Sequence, residues 1–145
     1  MKEIEFKEVD QIGEDTLDVI SNADKFNRWT YETIRPFCKG NILEIGSGLG
    51  NISQFFLKEG SFILLSDIRE GYCTELKQKF QSYSTLKGVE LIDLVDPDFD
   101  EKFKHLFSSF DSIFSLNVVE HIYDDNLAIK NAKKLLQKQG HLIIL

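Results

Sequence analysis

The feature that most limits what this chain can become is the segment Asn41-Ile42-Leu43-Glu44-Ile45-Gly46-Ser47-Gly48-Leu49-Gly50-Asn51, an apolar run that passes straight into three alternating glycines. The apolar run reads as a buried strand, and the glycines let the backbone turn sharply and approach a ligand closely. Ile52, Phe55 and Phe56 then recur at helical spacing. The first N–H groups of such a helix are free to meet an anionic part of the ligand. Strand, glycine turn and helix together open a βαβ unit, with the ligand expected over the strand's C-terminal edge. A tight connection that binds nothing has the same local pattern.

A second element separates the two. Ser61–Ser66 reads as the next strand, and Asp67 stands at its end, 21 residues after Gly46, where an acid meets a bound ribose. Its carboxylate can accept from both hydroxyls of a vicinal diol. The same residue also suits the N-cap of a helix carrying Tyr72, Leu76 and Phe80. Strand-like runs at Asn41–Ile45, Ser61–Ser66, Val89–Asp93, Asp111–Leu116 and His141–Leu145 alternate with helical spacings. The helices are marked by Phe103, Leu106 and Phe107, and by Ala128, Ala132, Leu135 and Leu136, the last stopping near Gly140. This alternation predicts an α/β fold with a doubly wound, mostly parallel sheet. An N-terminal helix over about residues 15–38 precedes it, with Phe26, Trp29, Thr33, Ile34 and Phe37 as its buried face. The first dozen residues read as a strand or an extended arm.

Length and charge narrow the partners. At 145 residues the chain is one domain over 1–145. A net charge of −7 with no clustering of basic residues argues against nucleic acid. No run approaches the roughly 18 apolar residues of a membrane crossing, and Met1-Lys2-Glu3-Ile4-Glu5 does not open a signal peptide, so a cytoplasmic protein is expected. Cys38 and Cys73 read as separate reduced thiols. Asp93, Asp96, Asp98 and Asp100 lack the glycine and final glutamate of a calcium loop and suit turns around Pro97, so no metal is expected.

The ligand itself is adenosine-like, either a dinucleotide or S-adenosylmethionine. Asn51 stands where the dinucleotide fingerprint places its third glycine. Glu44, two residues before the first glycine, would oppose a pyrophosphate but suit an ammonium or sulfonium. The turn carries no Arg or Lys for phosphate. Glu44 could instead serve only as a buried acceptor for backbone N–H groups.

These segments resemble the class I S-adenosylmethionine-dependent methyltransferases, in particular their bacterial type 11/12 domains. Leu43 to Gly50 is similar to the family's first motif, Ser115-Leu116-Asn117-Val118-Val119-Glu120-His121-Ile122 to its fourth-strand motif, and Leu135 to Leu142 to the approach to its fifth strand. The resemblance covers about residues 23 to 145. It implies S-adenosylmethionine as cofactor, held by Glu44, Gly46, Ser47, Gly48, Asn51, Ile68 and Asn117, by Asp67 at the ribose, and by Asp93 and Leu94 at the adenine. Asn27, Arg28, Trp29 and Tyr31 become candidates for covering the methionine end, although Trp29 equally suits a core position. Asn117 replaces the first acid of a metal-binding pattern found in some relatives.

The implied activity is methyl transfer to a small-molecule or cell-envelope acceptor. Adjacent Glu120 and His121 should point apart, so neither is nominated as a base. The family's sheet has seven strands, so the fold is expected to be truncated after the fifth, with an apolar edge that invites self-association. A nucleotide-dependent oxidoreductase and a non-catalytic binding module remain alternatives.

Overall fold

The computed structural model describes residues 23–145. Helix α1 (Asp24–Ile34) continues in a 3-10 turn to Phe37 and leads to β1 (Ile42–Ile45). There follow α2 (Ser53–Lys58), β2 (Ile63–Asp67), α3 (Glu70–Phe80), β3 (Leu86–Leu91), α4 (Phe99–Phe103), β4 (Phe110–Ser115), α5 (Asp125–Leu135) and β5 (Leu136–Ile144). The strands form one parallel sheet in the order β3-β2-β1-β4-β5. β1 lies at its centre, with Leu43 opposite Leu64 of β2 and Ile113 of β4. Every residue of β1 and β2 is buried. Helices on both faces therefore explain why these strands read as mostly apolar runs, without the alternation of a half-exposed strand.

Successive side chains point to opposite faces and divide the core in two. On one face Ile42, Ile63, Leu65 and Phe114 pack with Ile34, Phe56, Leu57, Leu76 and Phe80 from α1, α2 and α3. On the other, Leu43, Ile45, Leu64 and Ile113 pack with Phe99, Phe103, Ala128, Ala132 and Leu135 from α4 and α5. The chain winds from β1 outward to β3, then crosses back to β4 and β5. The order reverses between β1 and β4, which opens a crevice at their C-terminal ends.

Three boundaries and the buried face of one helix differ from the sequence reading. α1 buries Asn27, Thr30 and Ile34, whereas Phe26 (49% exposed), Trp29 (57%) and Phe37 (57%) lie outside. The helix is rotated because Tyr31 seats its ring on Phe55 and Phe56, at 5.1 and 5.0 Å between centroids, and donates to Glu59, which also pairs with Arg35. β3 runs over Leu86–Leu91 rather than Val89–Asp93. As an edge strand it alternates polar with apolar residues and contains Gly88, so its apolar signal is thin. The helix before β4 is the pair α4 and a 3-10 turn at Lys104–Leu106, begun one turn earlier by buried Phe99.

α5 ends at Leu135, five residues before Gly140, and β5 begins at once. Phe110 faces Leu136 while Ser112 faces His141, so the polar residues Gln137 to Gly140 form a bulge on β5. The expected helix over residues 15–22 and the arm over the first dozen lie outside the described residues. Cys38 and Cys73 are buried free thiols, and burial pushes the Cys38 thiol up to about 12. Among the described residues no helix is long and apolar enough to cross a membrane.

Phe56 and Phe114 are fully buried and stack at 5.2 Å, joining α2 to the middle of β4. Phe114→Ala is expected to cost about 3–5 kcal/mol of unfolding free energy, read by urea denaturation, because the close-packed surroundings cannot collapse into the space.

Candidate functional site

The glycine turn sits at the C-terminal end of β1, and its conformation explains its composition. Gly46, Gly48 and Gly50 have φ of 76°, 53° and 77°. These values lie in the left-handed region that side chains disfavour. Space is equally restrictive. A Cβ on Gly46 would overlap Val118 Cγ2, and one on Gly50 would come within 2.8 Å of Phe80 Cζ and 3.0 Å of Leu76 Cδ2. Gly50 thus provides close packing against α3, although position 51 carries no glycine. Val118, just past β4, roofs the first glycine across the crevice.

Glu44 lies beneath the turn and is fully buried. Ser53, at the first position of α2, donates its hydroxyl to Glu44 Oε2. Ser47 hydrogen-bonds the same carboxylate, and its hydroxyl also accepts the Ser66 N–H at 3.2 Å. Ser66 Oγ in turn donates to the Glu44 carbonyl at 2.7 Å. Desolvation raises the Glu44 pKa to about 7 against the lowering effect of the two serines. The acid is therefore poised near neutrality.

Asp67 closes the other side. Its Oδ2 accepts from Gly48 N and its Oδ1 from Arg69 N, both at 3.0 Å. The sequence suggested helix capping or sugar binding; the structure shows the carboxylate bracing the turn through backbone N–H groups, that of Ile68 included. Burial raises its pKa, opposed by those backbone N–H groups. The Asp67 carbonyl accepts from Ile92 N at 3.2 Å, which draws the segment after β3 alongside. That segment contains Asp93, whose Oδ1 accepts from Val95 N at 3.0 Å, and buried Leu94. Ile68 presents a 42% exposed apolar side chain next to Asp67.

Asn117 has left the β4 ladder with φ 55°, a conformation asparagine tolerates, and its N–H donates to the Leu145 carbonyl at 2.8 Å. Glu120 and His121 follow on a 3-10 turn, where Oε1 and Nε2 are 3.9 Å apart. Their side chains converge instead of pointing apart, because a 3-10 turn at the sheet's rim replaces the regular helix or strand.

The residues expected from α1 divide. Trp29 is outside the core, with its ring 6.0 Å from that of Phe26, and Arg28 lies over Phe55 at 5.3 Å. Tyr31 is turned to Glu59. Asn27 is buried. Asn51 lends its carbonyl to Gln54 at 3.1 Å. The acids around Pro97 do turn and surface work: Asp96 pairs with Lys102 at 2.6 Å and Asp100 with Lys134. No three His, Cys, Asp or Glu side chains gather for a metal among the described residues.

Sequence reasoning missed Ser53 and Lys79. Ser53 lies nine residues from Glu44, a separation with no fixed meaning until the turn reverses the chain. Lys79 reaches from α3 to the Leu49 carbonyl at 2.7 Å, and partial burial lowers its pKa. Only a positive charge opposite a carbonyl-rich turn could have suggested it.

A family model described as a methyltransferase domain matches residues 43–142. A polyketide synthase-nonribosomal peptide synthetase of Aspergillus clavatus is 31% identical over 109 residues, 72% of this chain and 3% of the synthetase. The crystal structure of the DszA carbon methyltransferase superposes with TM-score 0.66 at 22% identity, covering 85% of this chain and 35% of that one. A candidate S-adenosyl-L-methionine-dependent methyltransferase of Methanococcus maripaludis gives 0.73 at 20% identity, covering 99% and 66%. The two structural likenesses show the fold: a Rossmann-like methyltransferase core.

Glu44 holds its proton to about pH 7 when folded and to about 4.5 in its ordinary state, so the folded chain binds more protons between these values. Stability of the ligand-free protein should therefore fall as pH rises from about 5 to about 7. Glu44→Gln should flatten that slope in thermal melts recorded across the interval.

Proposed function

The chain belongs to the methyltransferase-domain family matched over residues 43–142, and on that premise we propose that it binds S-adenosylmethionine and transfers its methyl group to a small-molecule acceptor. The observation that carries this reading is the pairing of a fully buried Glu44 beneath the glycine turn with Asp67 braced on Gly48. Two acids at a bare turn suit a cationic, sugar-bearing ligand better than a pyrophosphate, and the cations close to the turn are otherwise engaged, Lys79 on the Leu49 carbonyl and Arg69 over Tyr72. The oxidoreductase alternative is disfavoured on the same ground.

The cofactor supplies a methyl group on positively charged sulfur, ready for direct displacement. In this reading Asp67 accepts from the ribose hydroxyls, Gly46, Ser47 and Gly48 bring the backbone against the ligand, and Asn51 borders the helix that follows. Ile68 covers one face of the base, Asp93 and Leu94 meet its edge, and Asn117 borders the methionine end. Glu44, ionised, offsets the ligand's positive charge from below. Trp29 is the candidate cover, an exposed aromatic that can fold its face over a cation.

Carbon is the acceptor atom to test first, since relatives include polyketide synthases and the DszA carbon methyltransferase. A carbon acceptor must lose a proton as its new bond to methyl forms and the sulfur–methyl bond breaks. His121, 3.9 Å from Glu120 on the rim beside the crevice, is proposed to take that proton.

Calorimetry should show micromolar binding of S-adenosylmethionine and S-adenosylhomocysteine, weakened about tenfold or more by Asp67→Ala. Binding should strengthen as pH rises through about 7, because the cationic ligand favours ionised Glu44. Absence of binding by either compound removes the proposal. With a short β-ketoacyl thioester as acceptor, His121→Asn should lower methyl transfer by about a hundredfold while leaving cofactor affinity unchanged; equal loss of both would reject a proton-transfer role.

A further inference from the structure

We propose that Asn131 is a positioning residue for base recognition: from the buried side of α5 it holds the Leu94 carbonyl and thereby shapes the turn after β3 that reads the purine of the cofactor. The inference rests on the cofactor assignment above. The buried stripe of α5 is Ala128, Asn131, Ala132 and Leu135, and Asn131 is the polar member, 2% exposed. Its Nδ2 donates to Leu94 O at 2.8 Å across 37 residues of sequence, while its Oδ1 has no hydrogen-bond partner among the described residues.

A buried acceptor left unpaired is costly, and an apolar side chain of the same volume would avoid that cost. The one bond that Asn131 makes must therefore be what the position requires. Its orientation is not free either, since reversing the amide would set Oδ1 against the Leu94 carbonyl.

That carbonyl belongs to a turn that is also tied within itself, to β2 and, at Asp96, to Lys102 of α4. Asp93 Oδ1 accepts from Val95 N at 3.0 Å, and Asp96 N donates to Asp93 O at 3.2 Å. Ile92 N donates to the Asp67 carbonyl. Asn131 adds a tie from α5, on the sheet face where Leu94 itself packs. The turn is thus pinned between the acid assigned to the ribose and the helix after β4, which fixes where the Asp93 carboxylate stands. A carboxylate accepts from the amino group of adenine but opposes the carbonyl of hypoxanthine. Displacing it by even a fraction of an ångström should reduce that discrimination.

The test compares the affinities of S-adenosylhomocysteine and S-inosylhomocysteine for the 145-residue chain and for Asn131→Leu and Asn131→Ser, by calorimetry. The wild-type chain should prefer the adenine compound, and both variants should shrink the preference by about fivefold, the scale of one lost hydrogen bond. Amide exchange at Val95 and Asp96 should quicken at the same time. A general loss of stability would lower the melting temperature without changing the ratio, so an unchanged ratio in the variants overturns the inference. Should the leucine variant fail to fold, the serine variant decides by the same ratio. A wild-type chain that binds neither compound refutes the cofactor assignment instead, and one that binds both equally refutes base reading at this turn.

Discussion

A carboxyl group set inside a parallel sheet is the constraint around which this structure is arranged. Glu44 occupies a position where both sheet faces are covered, and leaving its charge without partners would cost several kcal/mol. Ser53 and Ser47 supply the hydroxyls, and Ser66 ties the same backbone segment to β2. Each partner comes from a different element: the start of α2, the glycine turn and the neighbouring strand. Satisfying one acid therefore sets the mutual positions of three pieces of chain. An apolar residue in its place would leave the Ser53 hydroxyl without its acceptor, while Ser47 would keep its bond to the Ser66 N–H.

The rest of the rim is built by the same kind of cross-tie. Gly48 is drawn to Asp67, Leu49 to Lys79, and the segment after β3 to the Asp67 carbonyl. Val118 comes across from β4 to sit on Gly46, and α3 presses Phe80 and Leu76 toward Gly50. A left-handed turn has little to hold it locally, since its residues make few ladder bonds. Contacts from β2, α3 and the exit of β4 hold it instead. At Gly46 and Gly50 a side chain is therefore barred by these neighbours as well as by positive φ.

Much of this was legible in the sequence, for physical reasons that differ from residue to residue. The strands at the sheet's centre are buried on both faces, so Ile42 to Ile45, broken by Glu44 alone, and Ile63 to Leu65 appear as short apolar runs bounded by turn residues. The glycines are required by backbone geometry, which composition reports directly. Failures occur where tertiary contact overrides local pattern. Phe26, Trp29 and Phe37 supply the apolar bulk of α1, yet the helix docks through Tyr31, Arg35 and small buried Thr30. β3 borders solvent and alternates, which hides its first half. Helix and strand could not be separated at Leu136 because an apolar residue there serves equally as the end of α5 and the start of β5. Ser53 and Asn131 were invisible as partners, since their bonds span 9 and 37 residues and depend on the completed fold.

Those two polar residues also show why the doubly wound arrangement suits an extended ligand. The crevice between β1 and β4 has one wall assembled from the α1, α2 and α3 face and the other from the α4 and α5 face. A ligand spanning glycine turn and base turn must find both at fixed separation, although no helix contributes to both walls. Apolar packing sets the distance of each helix layer from the sheet but leaves sliding along it weakly resisted, because hydrophobic contact has no direction. A hydrogen bond does have direction. Ser53 on α2 and Asn131 on α5 each convert one packed helix into a positioned one, on opposite faces, by grasping a group at the sheet's C-terminal rim. Buried polar atoms that weaken each core layer are thus the atoms that align the two layers with one another.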